Sequence, residues 1–393
     1  MKLNVFFEEK IIGTLGEEDQ FTYEDSWLKD PEGFDISFKL RRGESLQKSD
    51  VKSFFSNILM EGDLAGVLAK KHQIDPDDYL SFLQEFGIDC AGALIIQEEK
   101  SFSSKKGPTE LKWSLLDQRV SKRQPLASIE GSHFSLAGAQ DKLPVIFQKD
   151  ELLLPTASHP STHILKPIEV FNEWFCMRLA REVGLNVPQM EIIVSEHPYY
   201  IVERYDRING KRLHQQDGCQ ALGLMASRKY ESRGGPGFSD IYRLVQEHSQ
   251  NKFHDLQDLL KWFSFNILIG NHDSHAKNVS FLYKDGKWTL APFYDLMSTA
   301  AYPDFTKNFA FSVGGQFQPF KWKRNHFEML EKVLGIKTRA MNSVLNEMIE
   351  NIVLSLPQVE YEGKELLPNS FIDRKIIQHI EKMVAVMDQR VLR

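Results

Sequence analysis

Residues Trp262–Met297 read WFSFNILIGNHDSHAKNVSFLYKDGKWTLAPFYDLM. The spacing of Trp262, Phe265 and Ile269 predicts the end of a helix with one apolar face, and Gly270-Asn271 predicts its stop. A short polar loop follows, carrying His272, Asp273, His275, Lys277 and Asn278. Val279, Phe281 and Tyr283 then alternate with more polar neighbours, Asp285-Gly286 makes a hairpin turn, and Trp288 with Leu290 opens a return strand toward Tyr294-Asp295. Such a hairpin would carry Asp295 back beside Asp273 and Asn278.

Those residue types are the ones phosphoryl transfer asks for. The transferred group moves with little covalent help, so the needs are a carboxylate near the attacking hydroxyl and oxygen ligands for magnesium. Asp273 and Asn278 have the spacing of the base and the metal-binding asparagine in a protein-kinase catalytic loop, and Asp295 falls where the metal-binding aspartate follows. Taken alone, the same residues also read as turn residues closing a helix end and a hairpin, which is the commoner use of such types.

With 393 residues the chain exceeds one ordinary hydrophobic core, so two or three subdomains are expected. An apolar share of 42% and a charged share of 26% are those of a globular protein. No apolar run is long enough to span a bilayer, MKLNVFFEEK lacks a signal-peptide pattern, and Cys90, Cys176 and Cys219 are scattered; a reducing cytoplasm is expected. The net charge of −6 gives no global attraction to nucleic acid. The basic run Phe320-Lys321-Trp322-Lys323-Arg324 reads as a solvated helix start, and no direct DNA contact is expected from it.

Upstream, Leu3, Val5 and Phe7 alternate as a strand and Ile11–Leu15 returns, so the chain opens on a hairpin. Helical spacing at Phe54, Phe55, Ile58 and Leu59 follows Asp50, read as an N-cap, and Tyr79 to Phe86 forms a second helix ending at Gly87. Linker-like residues from 101 to about 125 mark a subdomain boundary. In FSLAGAQDKLPV, from Phe134, small residues let main-chain amides approach a ligand and Lys142 can reach phosphate oxygens, although the stretch matches no standard phosphate-loop pattern. Lys166 sits in the strand THILKP, Glu173 in the first turn of a helix from Asn172 to Val183, and Glu203 to Tyr205 where a strand leaves one lobe for the next. Glu231 to Gly237 reads as a flexible loop, and helices are expected at about 325 to 355 and 370 to 391.

Together FSLAGAQDK, THILKP, IVERYDR, LHQQDGCQALG, YESRGGPG, FNILIGNHDSHAKN and LAPFYDL resemble the HipA family, the serine/threonine-kinase toxins of bacterial toxin–antitoxin pairs. The resemblance implies an α/β (α+β), two-lobed protein-kinase-like fold with an added N-terminal subdomain (1–105), a nucleotide-binding N-lobe (106–208) and a mostly helical C-lobe (209–393). It implies that Asp273 is the catalytic base, that Asn278 and Asp295 hold Mg2+, and that Lys166 contacts the phosphates of ATP. Ala137, Gly138, Ala139, Gln140, Asp141 and Lys142 would line the phosphate loop. His275, Ala276, Lys277 and Asn278 would flank the phosphates, with Tyr294 beside Asp295, and Glu203, Arg204 and Tyr205 would form the adenine hinge. Ser135 matches the family's autophosphorylated loop serine, whose modification silences the kinase. A pairing of Glu173 with Lys166 follows from general kinase logic instead. The implied partner is a helix-turn-helix, HipB-like antitoxin bound to operator DNA, and the implied substrate class is an aminoacyl-tRNA synthetase. Two other classes stay open: a catalytically silent corepressor, which would be expected to have lost one of Lys166, Asp273, Asn278 or Asp295, and a metallohydrolase built on His272-Asp273-Ser274-His275, for which no further ligand motif stands out.

Overall fold

The structure, a computed structural model, describes residues 1–98, 107–132, 134, 136–368 and 372–393. Ser135, expected to carry the silencing phosphate, lies outside the described residues. The chain divides into two compact units. The first comprises Met1–Ile168, Ile193–Ala226 and Phe281–Lys287, and the second Glu169–Ile192, Ser227–Ser280 and Trp288–Arg393.

The first unit opens on the expected hairpin. Strands β1 (Lys2–Phe7) and β2 (Lys10–Gly16) pair antiparallel with Leu3 opposite Leu15, and β3 (Gln20–Tyr23) and β4 (Leu94–Gln97) complete a sheet of order β3-β2-β1-β4. Alternation sends Leu3, Val5, Ile12 and Leu15 into a core shared with Trp27, Phe54, Phe55, Leu83 and Phe86. The helix Lys48–Ser56 begins before Asp50, with Gln47 at its N-cap. Asp50 therefore lies in the first turn, where an acidic side chain still complements the exposed N–H groups, and it is not the cap expected from the sequence.

A second sheet has the order β5-β7-β6-β8-β10-β9, built from β5 (Thr109–Glu110), β6 (Leu143–Gln148), β7 (Glu151–Leu154), β8 (His163–Lys166), β9 (Met190–Val194) and β10 (Pro198–Glu203). Leu143 stands opposite Leu165, which stands opposite Ile201, and these pack with Leu116, Val145 and Tyr199 into a separate core. A buried ion cluster joins the two halves of this unit. Asp89 meets Arg207 at 2.7 Å and Arg212 at 3.0 Å, while Arg204 meets Asp206 at 2.8 Å. Asp206 also accepts the Gly92 N–H at 2.7 Å. Burial works against the Asp89 carboxylate, but Arg212, Arg207 and Arg204 overrule it and hold its pKa far below the usual range. The first hundred residues are thereby pinned to the strand end that follows β10.

In the second unit the helix Ala340–Leu366 packs on both Val170–Glu182 and Lys252–Ile269. Phe238 stacks on Phe263 at 3.9 Å and Trp262 on Phe293 at 5.7 Å, so the helix Lys252–Ile269 buries almost its whole last half. The helix expected to end near 355 instead runs through Pro357. Pro357 and Val353 are both exposed, and the carbonyl left without its helical N–H one turn back can turn to water. Within the basic run, Trp322 is fully buried and donates to the Gln316 carbonyl at 2.7 Å; its ring is core, not a stacking surface. No helix among the described residues is long and apolar enough to cross a membrane.

Candidate active site

Gly270 stops the helix Lys252–Ile269 by taking φ 71 in the left-handed region. A Cβ there would stand 2.2 Å from His379 Nε2 and 2.6 Å from the Ala300 methyl, so conformation and space both demand glycine. Gly270→Ala should lower stability by roughly 1 kcal/mol or more. A urea midpoint equal to that of the unsubstituted protein would refute this.

Beyond the stop, side chains tie the loop together. Asn271 donates to Asn266 Oδ1 at 2.8 Å and accepts the Asp273 N–H at 3.2 Å. The same amide reaches the Asp295 carbonyl at 3.5 Å. The Ala276–Asn278 turn is closed by Asn278 Oδ1, which accepts the His275 N–H at 3.0 Å. Asn278 Nδ2 then donates to Asp295 Oδ2 at 3.2 Å. Strands β11 (Ser280–Lys284) and β12 (Lys287–Leu290) make the return journey, and the Leu290 N–H is fixed to Asp255 at 2.7 Å. Tyr294 closes the far end, donating to the Lys277 carbonyl at 2.6 Å and sharing a hydrogen bond with Ser280 at 2.7 Å. Asp295 itself sits at φ 58, a strained conformation for a residue other than glycine and one that aspartate tolerates better than most.

Asn278 and Asp295 thus stand one hydrogen bond apart as an amide and a carboxylate. Magnesium takes hard oxygens, commonly one or two carboxylates with water and phosphate filling the rest. The donor set fits that ion. Among the described residues no three His, Cys, Asp or Glu side chains gather into a metal cage. His272 Nδ1 shares a hydrogen bond with the Thr306 carbonyl at 2.8 Å, and the His275 ring stands edge-on to Tyr230.

The other expected site residues lie in the first unit, apart from Glu173. Gly138, at φ 109, offers its carbonyl to the Glu61 N–H at 3.0 Å. Gln140 donates to the Ile168 carbonyl at 3.3 Å, and Lys142 Nζ to the Ala137 carbonyl. Asp141 is turned inward to accept the Leu126 and Ala127 N–H groups at 2.8 and 3.2 Å, with burial pushing its carboxyl up. The loop's anchors are therefore its own polar side chains. Ala137 and Ala139 leave its middle small, as a close approach of ligand to main chain requires. Lys166 is buried at the end of β8, opposite Tyr200 of β10. Glu173 is buried in the helix Val170–Glu182 of the second unit.

At the expected hinge, Glu203 is exposed and Tyr205 donates to Gln215. Arg204 departs from a simple ligand role. Its guanidinium is spent on Asp206, Ser161 and the Cys90 carbonyl, and its N–H on the Thr162 carbonyl at 2.9 Å. Its carbonyl accepts the Arg207 N–H at 3.1 Å.

Sequence reasoning missed Tyr230. Its hydroxyl donates to Asp273 Oδ1 across 43 positions of chain. The motif YESRGGPG was the available signal, but it read as loop material. Nor is that loop slack, because Glu231 accepts both the N–H and hydroxyl of Ser312.

Residues 134–356 match the HipA-like C-terminal domain, and residues 3–97 match the HipA N-terminal domain. The chain belongs to the HipA family. It is 32% identical to the putative kinase Y4mE of Sinorhizobium fredii, with 98% of this chain and 96% of that one covered. It is 28% identical to the serine/threonine-protein kinase toxin HipA of Shewanella oneidensis, covering 91% and 89%. The Shewanella oneidensis HipA, solved with HipB and operator DNA, superposes with a TM-score of 0.85 at 26% identity over 99% of this chain and 97% of that one. The mixed helix-and-sheet fold expected from the sequence is the fold of that family.

Proposed function

We propose that this protein is an ATP- and magnesium-dependent serine/threonine protein kinase, the toxin of a cytoplasmic toxin–antitoxin pair. The observation carrying the proposal is the single network that links Asp273, through Asn271, to Asp295 and Asn278. It ties the loop of Asp273 and Asn278 to Asp295 beyond the hairpin, which supports reading the three as a carboxylate base and two metal ligands. Asp273 accepts the proton of the substrate hydroxyl as that oxygen bonds to the γ-phosphorus, the bond from that phosphorus to the bridging oxygen breaks, and ADP leaves. Asn278 and Asp295 would hold magnesium, whose charge offsets that of the phosphates. Lys166 contacts the phosphates, the 137–142 loop approaches them with main-chain amides, and Glu203 to Tyr205 meets the adenine. The segments 1–105, 106–208 and 209–393 are retained as functional divisions, with 1–105 as the family's accessory part.

The partner proposed is a HipB-like helix-turn-helix antitoxin, in keeping with the Shewanella oneidensis complex of HipA, HipB and operator DNA. The substrate proposed is an aminoacyl-tRNA synthetase, whose phosphorylation stalls translation. Self-silencing is assigned to Ser135, because a phosphate there repels the triphosphate of ATP and drives the loop from the site. Incubating the purified protein with magnesium and ATP should add one phosphate, read by intact-mass spectrometry and mapped to Ser135. No gain in a demonstrably unphosphorylated sample would overturn the kinase reading in favour of a silent corepressor.

A further inference from the structure

Resting on the kinase reading, we propose that Tyr230 is a positioning residue for phosphoryl transfer, holding Asp273 in its working orientation. A general base must meet the substrate hydroxyl within hydrogen-bond reach, so the torsion of a short carboxylate matters as much as its charge. The main chain of Asp273 is fixed by Asn271, a bond that involves the N–H and not the carboxylate. The Tyr230 hydroxyl constrains the carboxylate directly, donating to Asp273 Oδ1. A phenol suits the task. It donates a charge-assisted hydrogen bond to an ionised carboxylate, yet keeps its own proton at neutral pH, so it steadies the base without competing for the substrate's proton.

The ring that carries this hydroxyl is itself immobilised. His275 stands against it edge-on, with centroids 5.0 Å apart and planes at 81°. The Arg233 guanidinium lies 5.1 Å and the Lys229 ammonium 5.7 Å from its centroid. Its main chain is closed into a turn by the Gly235 N–H bonding the Tyr230 carbonyl at 3.0 Å. Arg228 adds a bond to the Gly234 carbonyl at 2.6 Å, and the neighbouring Glu231 is anchored on Ser312. These contacts and bonds hold the ring and the turn that carries it. Here they converge on one phenol, and that phenol bonds the base.

The test is Tyr230→Phe, which keeps the ring and its contacts and deletes only the hydroxyl. ADP release from Mg-ATP, with casein as a generic acceptor, gives kcat and KM for ATP whatever the natural substrate is. The expected result is a loss of about 10- to 100-fold in kcat, a KM for ATP within twofold, as roughly the precision of such a split, and an unshifted melting temperature. In the Asp273→Asn background the same substitution should add little further loss, because residues acting as a unit are not additive. The inference is overturned by an unchanged kcat, by a KM for ATP that rises in step, or by an equal loss in both backgrounds. Should Asp273→Asn alone leave ADP release intact, it is the kinase reading beneath that fails.

Discussion

Replacing Asp273 by Asn is expected to slow phosphate incorporation from Mg-ATP by about 100- to 10,000-fold, the range a positioned general base contributes. That corresponds to about 3 to 5 kcal/mol of barrier. The substitution is isosteric, and the main-chain bond from residue 273 to Asn271 does not involve the carboxylate. The Tyr230 hydroxyl can still donate to the oxygen of the new amide. What disappears is the capacity to accept the hydroxyl proton. Quantifying the phosphorylated fraction against time by intact mass, with melting temperature as the folding control, measures the effect. A variant that folds and transfers within a few-fold of the unsubstituted rate would remove Asp273 from the mechanism.

Asp89→Asn should destabilise the fold by about 3 to 5 kcal/mol, the cost of deleting one partner from a buried ion pair. Asp89 is completely buried and meets Arg207 and Arg212 at 2.7 and 3.0 Å. Without it, Asp206 still pairs with Arg204 and Arg207, but Arg212 loses its carboxylate partner. Arg212 is already held down to about 10 by burial, which outweighs the support it draws from Asp89. The unfolded chain returns Asp89 to an ordinary pKa of about 4, whereas the folded state holds it far lower. Its stabilisation is therefore fully present above that unfolded value and is lost progressively as pH falls from there down through the much lower folded pKa, because the unfolded state takes up the proton first. Urea denaturation should show the gap between the parent and Asp89→Asn at its widest near neutrality and shrinking from about pH 5 downward. A gap that stays constant to pH 3 would contradict the ionic origin of the stabilisation.

Much of the stretch from Gly270 to Asp295 was legible because its signals are local. Gly270 announces a helix stop, Asp285-Gly286 a tight turn, and Val279, Phe281 and Tyr283 a strand, each within a few residues of its effect. The hydrogen bond between Asn278 and Asp295 follows once that hairpin forms. The bond from Tyr230 to Asp273 has no such local cause; it depends on where the helix Phe238–His248 delivers the preceding turn. The Asp89 cluster is further beyond reach, since its partners Arg204, Arg207 and Arg212 are each more than a hundred residues away and look in sequence like an ordinary solvated run. Asp141 and Arg204 mark the same limit from the opposite side. Both belong to segments that read as ligand-facing, and both turn their charged ends into the fold.

The interleaving of the two units along the chain also governs how the protein emerges from the ribosome. The first unit needs Phe281–Lys287 to be complete, and the second needs the helices that end near Arg393. Domains ordinarily fold in turn as synthesis proceeds, the N-terminal one first. Here a nascent chain arrested before residue 281 has finished neither unit, although it already contains Lys166 and the Asp273 loop. A fragment ending before residue 281 therefore lacks part of both units.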